Sequence, residues 1–405
     1  MKREQLEYAL ARYGTPLYVF DLDILKQQID RIKANLGKET GICYAMKANP
    51  FLTQTAEKWV DRIEVCSMGE FRICKALGIA PEKLFISGVL KKKEDLMEIL
   101  DFCGDRANYT VESVRQFHQI VEWADAHSAE RELHIHLYPR LTSGNQFGMD
   151  ENTVKSIIRM ILVNPSLEIG GIHYFSGTQK KNLKKHQKEI AYLDEFLQNV
   201  EDETGEKIPC LEYGSGTAVP YFKGKDAETF QDEGFAGLAD AIEQMQWKGQ
   251  VTIEMGRAIA ALCGYYLTEI RDIKTNKEKN YCIVDGGNHQ INYDGQIKGM
   301  YEPYVMTIPE GVVDEEKKCN VCGSLCTVND VMCSDISLPP VKEGHVLVFE
   351  RTGAYSAMEG MALFLSHELP GVVLYDEENG WKVARERQET FELNMVKENG
   401  GLRNE

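Results

Sequence analysis

The stretch Gly41-Ile42-Cys43-Tyr44-Ala45-Met46-Lys47-Ala48-Asn49-Pro50 decides how the rest of the chain is read. Its apolar run, 42–46, has the length and composition of a buried strand, and Ala-Asn-Pro is a turn signal. A single lysine, Lys47, stands at the strand's end. In a barrel or an open α/β sheet, site residues gather at the C-terminal mouths of the strands. A lysine amine desolvated at such a mouth can act as a nucleophile and form a Schiff base. The same decapeptide also describes a lysine that reaches solvent along its methylene stem. The surrounding sequence has to separate the two.

Downstream, strand-like and helix-like segments alternate. Strands are expected at 62–66, 83–87, 107–110, 133–138, 168–175, 210–213 and 251–255. Amphipathic helices are expected at 22–36, 68–77, 94–103, 113–127, 152–161, 183–203 and 235–244. With the Gly41 strand this spacing predicts an α/β fold, a parallel (β/α)8 TIM-like barrel over residues 26–256. Beyond it the texture changes to strands with few helices between, at 265–271, 280–285, 318–322, 346–350, 372–375 and 381–384. This predicts a C-terminal, mostly antiparallel β domain. The segment 285–299 reads as a loop region, and the polar tail 397–405 as a frayed end. A short helix at 4–12 and a strand at 16–20 precede the barrel.

The chain has 405 residues, 43% hydrophobic and 27% charged, enough to bury one large core and a smaller one. Its net charge of −17 argues against binding nucleic acid or an anionic membrane. No run of 18 apolar residues offers a membrane span, and the first seven residues lack the apolar region of a signal peptide. The expectation is a cytoplasmic protein whose 11 cysteines are thiols. Cys319, Cys322, Cys326 and Cys333 resemble the start of a zinc site. No second CxxC follows, and the segment reads equally as a strand entering a turn, so no metal is expected.

The mouth of such a barrel can be populated strand by strand. Lys47 ends the first strand, Glu64 and Glu70 bracket the end of the second, and Ser87 ends the third. His136 lies near the end of the fifth, and His173 and Phe175 end the next. Gly214-Ser215-Gly216-Thr217 follows the seventh, and Glu254, Gly256 and Arg257 end the last. Backbone N–H groups of a glycine-rich loop can cradle a phosphate, although a lone GxG is more often just a tight turn. Arg257 adds a phosphate-pairing charge. Glu254 can face a ring nitrogen and Phe175 can stack on a ring. An amine, a phosphate cradle, a carboxylate and an aromatic are together what pyridoxal 5'-phosphate requires.

Six motifs now occur in order: Tyr44-Ala45-Met46-Lys47-Ala48-Asn49, Gly171-Ile172-His173 with Gly177-Thr178-Gln179, Gly214-Ser215-Gly216, Glu254-Met255-Gly256-Arg257, Gly323-Ser324-Leu325-Cys326, and Gly353-Ala354-Tyr355. On these the chain resembles the fold-type III pyridoxal-phosphate decarboxylases, the group of diaminopimelate, ornithine and arginine decarboxylases. The resemblance implies the alanine racemase-like architecture, with residues 1–25 and 257–405 forming the β domain. It implies that Lys47 holds the cofactor as an internal aldimine and that Glu254 bonds the pyridine nitrogen. Gly214, Ser215, Gly216, Arg257 and Tyr355 would hold the phosphate, with Glu64, His136, His173, Phe175, Thr178 and Gly256 completing the cofactor site. Cys326 would come from the second subunit of a homodimer and protonate the carbanion left by carbon dioxide. Lys298, Tyr301, Thr327 and Asp330 would meet the substrate.

Departures from the family pattern narrow the reading. Phe175 stands where the family has a histidine, Ser215 where it has a glycine, and His136 where it has an arginine. Thr327 replaces the acidic residue that pairs with a substrate's distal amine, and the arginine expected near Tyr301 to grip a distal carboxylate is missing, which predicts a substrate whose distal end is neither a free ammonium nor a simple carboxylate. The profile is similar to a specialised branch acting in secondary metabolism, on a glutamyl group tethered to an acyl carrier protein or in siderophore pathways. The basic run Lys180-Lys181-Asn182-Leu183-Lys184-Lys185-His186 is either a carrier-docking patch or a solvated helix face. The function read from the chain is decarboxylation of an L-α-amino acid or a derivative to its amine. The alternatives are a racemase or epimerase on the same scaffold, which Glu254 disfavours, and a non-catalytic regulatory homologue.

Overall fold

The structure, a computed structural model, describes residues 1–129, 131–224, 230–293, 296, 298–311 and 316–396. The predicted frayed tail, 397–405, lies outside the described residues. The chain divides into two compact units. One comprises Lys26–Val219 and Ala227–Ile259, the other Met1–Leu25, Pro220–Asp226 and Ala260–Glu405.

The first unit is the barrel. Parallel strands Gly41–Ala45, Arg62–Val65, Leu84–Ile86, Asn108–Val111 and Ile135–Leu141 follow one another round the sheet. Ile172–Phe175, Cys210–Gly214 and Gln250–Met255 complete the ring, and Gln250–Met255 pairs back with Gly41–Ala45. The segment expected as one strand over 168–175 is broken into Leu167–Ile169 and Ile172–Phe175. The break falls at Gly170 and Gly171, where an added Cβ would meet the Tyr138 ring at 2.3 and 2.7 Å. Only glycine lets the backbone pass so close to that ring. Three of the helices between the strands begin on side-chain caps in which Ser67, Ser113 and Asp150 accept from Glu70, Gln116 and Thr153 N–H groups.

The barrel interior is not wholly apolar. Cys43, Phe85, Tyr138 and Cys210 form a small buried cluster. Beside it Arg62 donates to Glu212 at 2.9 Å and lies over the Phe85 and Tyr138 rings. Burial pushes Glu212 up to about 8 against the pull of Arg62.

The second unit is a mixed sheet, mostly antiparallel. The N-terminal strand Leu17–Asp21 is embedded in it, antiparallel to Gly264–Asn276 and parallel to Gly371–Asp376. Helix Arg3–Tyr13 packs Leu6 and Ala9 into a core with Leu17, Leu267, Val346, Val348 and Val373. Two strands not read from the sequence, Val305–Ile308 and Val331–Leu338, extend the sheet. Both carry polar residues among the apolar ones, which blurs their alternation. Cys282 and Cys319 lie side by side, Sγ to Sγ 2.7 Å, on the paired strands Lys279–Val284 and Lys317–Cys322. Among the described residues, no three His, Cys, Asp or Glu side chains converge as a metal site. No helix among them is long and apolar enough to cross a membrane.

Candidate active site

Strand register brings three side chains together at the barrel mouth. Ala45 pairs with Glu64 on one neighbouring strand and Cys43 with Glu254 on the other. The Gly41 strand then turns through a short 3-10 segment, Met46–Ala48, held by the Asn49-Pro50 turn, whose Asn49 side chain accepts from Phe51 N–H. Lys47 Nζ ends 2.6 Å from Glu64 Oε2, 3.5 Å from Glu254 Oε1 and 3.5 Å from Cys66 Sγ. Glu64 and Glu254 are 2% and 7% exposed, so the lysine faces two carboxylates removed from water. Two buried anions beside one cation leave negative charge that can accept a positively charged ring nitrogen.

Glu254 is held from its far side. Its Oε2 lies 3.1 Å from His173 Nε2. Burial, followed by the charge of Arg140, pushes His173 down to about 3, so the imidazole is neutral. With Nε2–H donating to Glu254, the Nδ1 lone pair is left buried without a partner among the described residues. The Cys66 thiol donates to Glu64 Oε1 at 3.1 Å. Burial and then Glu64 push that thiol well up, keeping it protonated.

After the strand Cys210–Gly214 comes a glycine-containing loop. Gly216 has φ +59°, and an added Cβ would sit 1.9 Å from the Gly177 carbonyl oxygen. Gly216 O in turn accepts from Lys180 N–H at 2.9 Å, so the two loops run side by side on their backbones. Ser215 and Thr217 are buried and share a hydroxyl contact of 3.0 Å. Arg257 Nε donates to Thr178 Oγ1 at 3.4 Å. The Phe175 ring covers Gly214, whose added Cβ would meet it at 2.6 Å. Gly256 serves close packing, since a Cβ there would meet Ala48 and the Ala45 carbonyl at 2.8 and 2.9 Å.

Residues 22–261 match the family described as "Pyridoxal-dependent decarboxylase, pyridoxal binding domain". The chain belongs to the pyridoxal-dependent decarboxylases. It is 25% identical over 389 residues to the L-glutamyl-(BtrI acyl-carrier protein) decarboxylase of Niallia circulans, covering 90% of this chain and 89% of that one. It is 28% identical over 376 residues to the diaminopimelate decarboxylase of Methanocaldococcus jannaschii, covering 85% and 82%. A crystal structure of the diaminopimelate decarboxylase from M. jannaschii shares its fold, with a TM-score of 0.83, 24% identity and coverage of 97% and 94%. As a family member the chain is a carboxy-lyase that uses pyridoxal phosphate to convert an amino acid to its amine.

This decarboxylase's barrel mouth fits that cofactor. Beside Gly216, Gly177 leaves bare backbone, with nothing within 4 Å of an added Cβ, where a phosphate needs close approach. The buried Glu254 carboxylate stands where a protonated ring nitrogen needs an anion. The unpartnered His173 Nδ1 marks a polar position awaiting a donor.

Several expectations need correcting. His136 is not at the mouth. It lies near the start of Ile135–Leu141, half-buried, 3.5 Å from Glu168. Arg140, four residues on, occupies the position instead. It pairs with Glu112 at 2.6 Å, sits opposite His173 and lies over the Phe147 and Phe175 rings. Its Nε is buried and unpartnered among the described residues. Glu70 accepts from Cys66 N–H at 2.6 Å and so braces the Glu64 strand end. Ser87 is buried at its strand end, its hydroxyl without a partner among the described residues. The basic run is partly structural. Lys180 is buried against Glu189 at 2.7 Å and His186 against Tyr213, leaving Lys181, Lys184 and Lys185 exposed.

In the β unit, Cys326 is the exposed member of the 11 cysteines. Asp330, expected at the substrate, instead accepts from Asn288 N–H at 2.7 Å and Leu325 N–H at 2.8 Å. It bolts the Cys326 loop to the preceding turn. Thr327 Oγ1 accepts from Asn329 N–H at 3.5 Å. Lys298 borders a cavity of about 180 Å3 with Asn292, Gln296 and Glu359. The Tyr301 ring packs on Phe222 at 5.3 Å. Tyr355 stands at φ +63°, in the loop after Val346–Glu350.

Proposed function

We propose that Lys47 is the cofactor-holding amine and that the substrate is an amino-acid group without a free distal ammonium. The observation that carries the first part is the Lys47–Glu254–His173 chain of contacts, 3.5 and 3.1 Å, across the barrel mouth. Pyridoxal phosphate, when bound, supplies the electron sink for the pair left by departing carbon dioxide. Lys47 would hold it through Nζ. Glu254 would face the ring nitrogen, fixed by the His173 N–H so that its carboxylate cannot swing away. Gly214, Ser215, Gly216, Thr178, Arg257 and Tyr355 would hold the phosphate, and Phe175 would lie on the ring face. Arg140, paired with Glu112, would orient the groups that His173 and Phe175 present. Cys326 would deliver a proton from Sγ to the carbon that lost its carboxylate. Its exposure supports a homodimer in which each chain lends this thiol to the other's site.

The substrate reading rests on Thr327 and Asp330. A distal ammonium requires a carboxylate, and Thr327 has none. Both Asp330 oxygens already accept backbone N–H groups. An unpaired ammonium buried there would carry a heavy desolvation cost. Lys298 and Tyr301 suit a carbonyl end better. The relative named for a glutamyl group on an acyl carrier protein favours a carrier-tethered substrate in the cytoplasm. The test is carbon dioxide release from diaminopimelate, ornithine, lysine, arginine, glutamate and a glutamyl-carrier thioester. Release from glutamate or its thioester alone is expected. Efficient release from any of the diamino acids would overturn the substrate reading.

A further inference from the structure

Two buried thiols of the β unit are left unused by the decarboxylation. Cys282 and Cys319 stand with their sulfurs 2.7 Å apart. They come from neighbouring parallel strands, Lys279–Val284 and Lys317–Cys322, paired from Tyr281 with Asn320 to Ile283 with Cys322. They are 1% and 5% exposed, so neither is offered to solvent as Cys326 is. The contact is polarised. With Cys319 S–H donating, the Cys282 thiol is held below its usual range. The same hydrogen bond, and then burial, push Cys319 up. A sulfur close to its thiolate form beside a protonated neighbour is the arrangement from which a disulfide forms.

The segments that the two strands lead into give the pair its place. Lys317–Cys322 runs into the Cys326 loop, and Lys279–Val284 into the turn at 286–288. Hydrogen bonds hold those two segments together, Ser324 N–H to the Gly286 carbonyl at 2.8 Å and Asn288 N–H to Asp330 at 2.7 Å. The thiol pair therefore sits at the root of the loop that carries Cys326. Access comes from the outer neighbour of the pair, the strand Val331–Leu338. Its pairing with Lys317–Cys322 shifts register between Cys319 and Val321, and Asp335 there has φ +51°. An irregularity of this kind disrupts the ladder locally, beside Cys319.

We propose that Cys282 and Cys319 are a modification site, forming a reversible disulfide under peroxide that staples the root of the Cys326 loop. Cys282 Sγ attacks one peroxide oxygen and the O–O bond breaks. The Cys282 proton leaves with the departing hydroxide as water. Cys319 Sγ then attacks Cys282 Sγ, the S–O bond breaks, and the Cys319 proton leaves with that oxygen as a second water. Two electrons pass from the sulfurs to the peroxide. In a reducing compartment such a bond is transient and reports oxidant. It forms whatever the substrate is, and whether or not Cys326 is the proton donor.

Hydrogen peroxide treatment of the cofactor-loaded enzyme tests it. The treated protein is denatured, its remaining thiols are alkylated, and its peptides are mapped by mass. The expected result is a peptide joining Cys282 to Cys319, lighter by two hydrogens than its separate parts, that dithiothreitol splits. Cys282→Ser and Cys319→Ser should each abolish it. The oxidised native chain should unfold at a higher temperature than the reduced one, and neither variant should show that rise. The map of the native chain decides the matter even where a variant folds poorly. If Cys282 and Cys319 both stay open to alkylation while Cys326 is oxidised, the proposal is overturned. A disulfide joining either of them to a different cysteine overturns it as well.

Discussion

The barrel mouth and the Cys326 loop hold their chemistry in opposite ways. At the mouth, Lys47, Glu64, Glu254 and His173 are tied side chain to side chain, and all but the lysine are buried. In the β unit the exposed thiol of Cys326 rides on a loop fixed through its backbone, by the Asp330 carboxylate and by Ser324 N–H to the Gly286 carbonyl. The first arrangement is preorganised, with charge and proton positions set before any ligand arrives. The second presents a reactive group outward and controls only where its loop stands. A mouth whose side chains brace one another and a thiol offered to solvent are what the proposed sharing of sites between two chains asks of each.

The largest effect that could break this contrast is at Lys47. Lys47→Ala is expected to reduce carbon dioxide release to background and to remove the visible absorbance of bound cofactor. Retained turnover would end the reading of the mouth. Glu254→Gln removes the anion but keeps its shape, and kcat should fall by about 10²–10³-fold. An effect confined to KM would show that Glu254 only binds. Cys326→Ala should slow kcat by about 10²-fold or more while leaving the cofactor spectrum and the unfolding temperature unchanged. A lost spectrum would mean that the thiol supports the barrel site directly.

Asp330→Ala sharpens the loop's side of the comparison. It strands the Leu325 and Asn288 N–H groups in a buried position, costing about 1–3 kcal/mol in urea unfolding. Its kinetics should follow those of Cys326→Ala, because the thiol loses its placement. A further effect is that of pH on the mouth. His173 sits at about 3 when folded, below its usual 6.5, so the unfolded chain takes up the proton first. Its contribution is therefore complete above pH 6.5 and declines as pH falls towards 3, by up to about 1.4 kcal/mol per unit. Urea unfolding at pH 7.5 and pH 5 measures this. His173→Gln should flatten the difference.

The sequence alone determined the alternation of strands and helices, the change of texture after the barrel, and the strand ends bearing Lys47, Glu64, Glu254 and Arg257. Those features are local: apolar runs of strand length, helical periodicity and turn residues act within a few positions. Strand register, which is not local, was decided only in three dimensions. His136 and Arg140 share a strand face, yet four residues at about 3.3 Å each separate them in depth. Pairing of Arg140 with His173, and of His136 with Glu168, puts one at the mouth and the other near the opposite end. Pro139 hid this, because a proline reads as a strand end, whereas the strand runs on to Leu141. Cys66 and Glu112 carried no motif at all. They join the candidate site because neighbouring strand ends placed Lys47 and Arg140 within their reach, a fact of the closed sheet that no window of sequence contains.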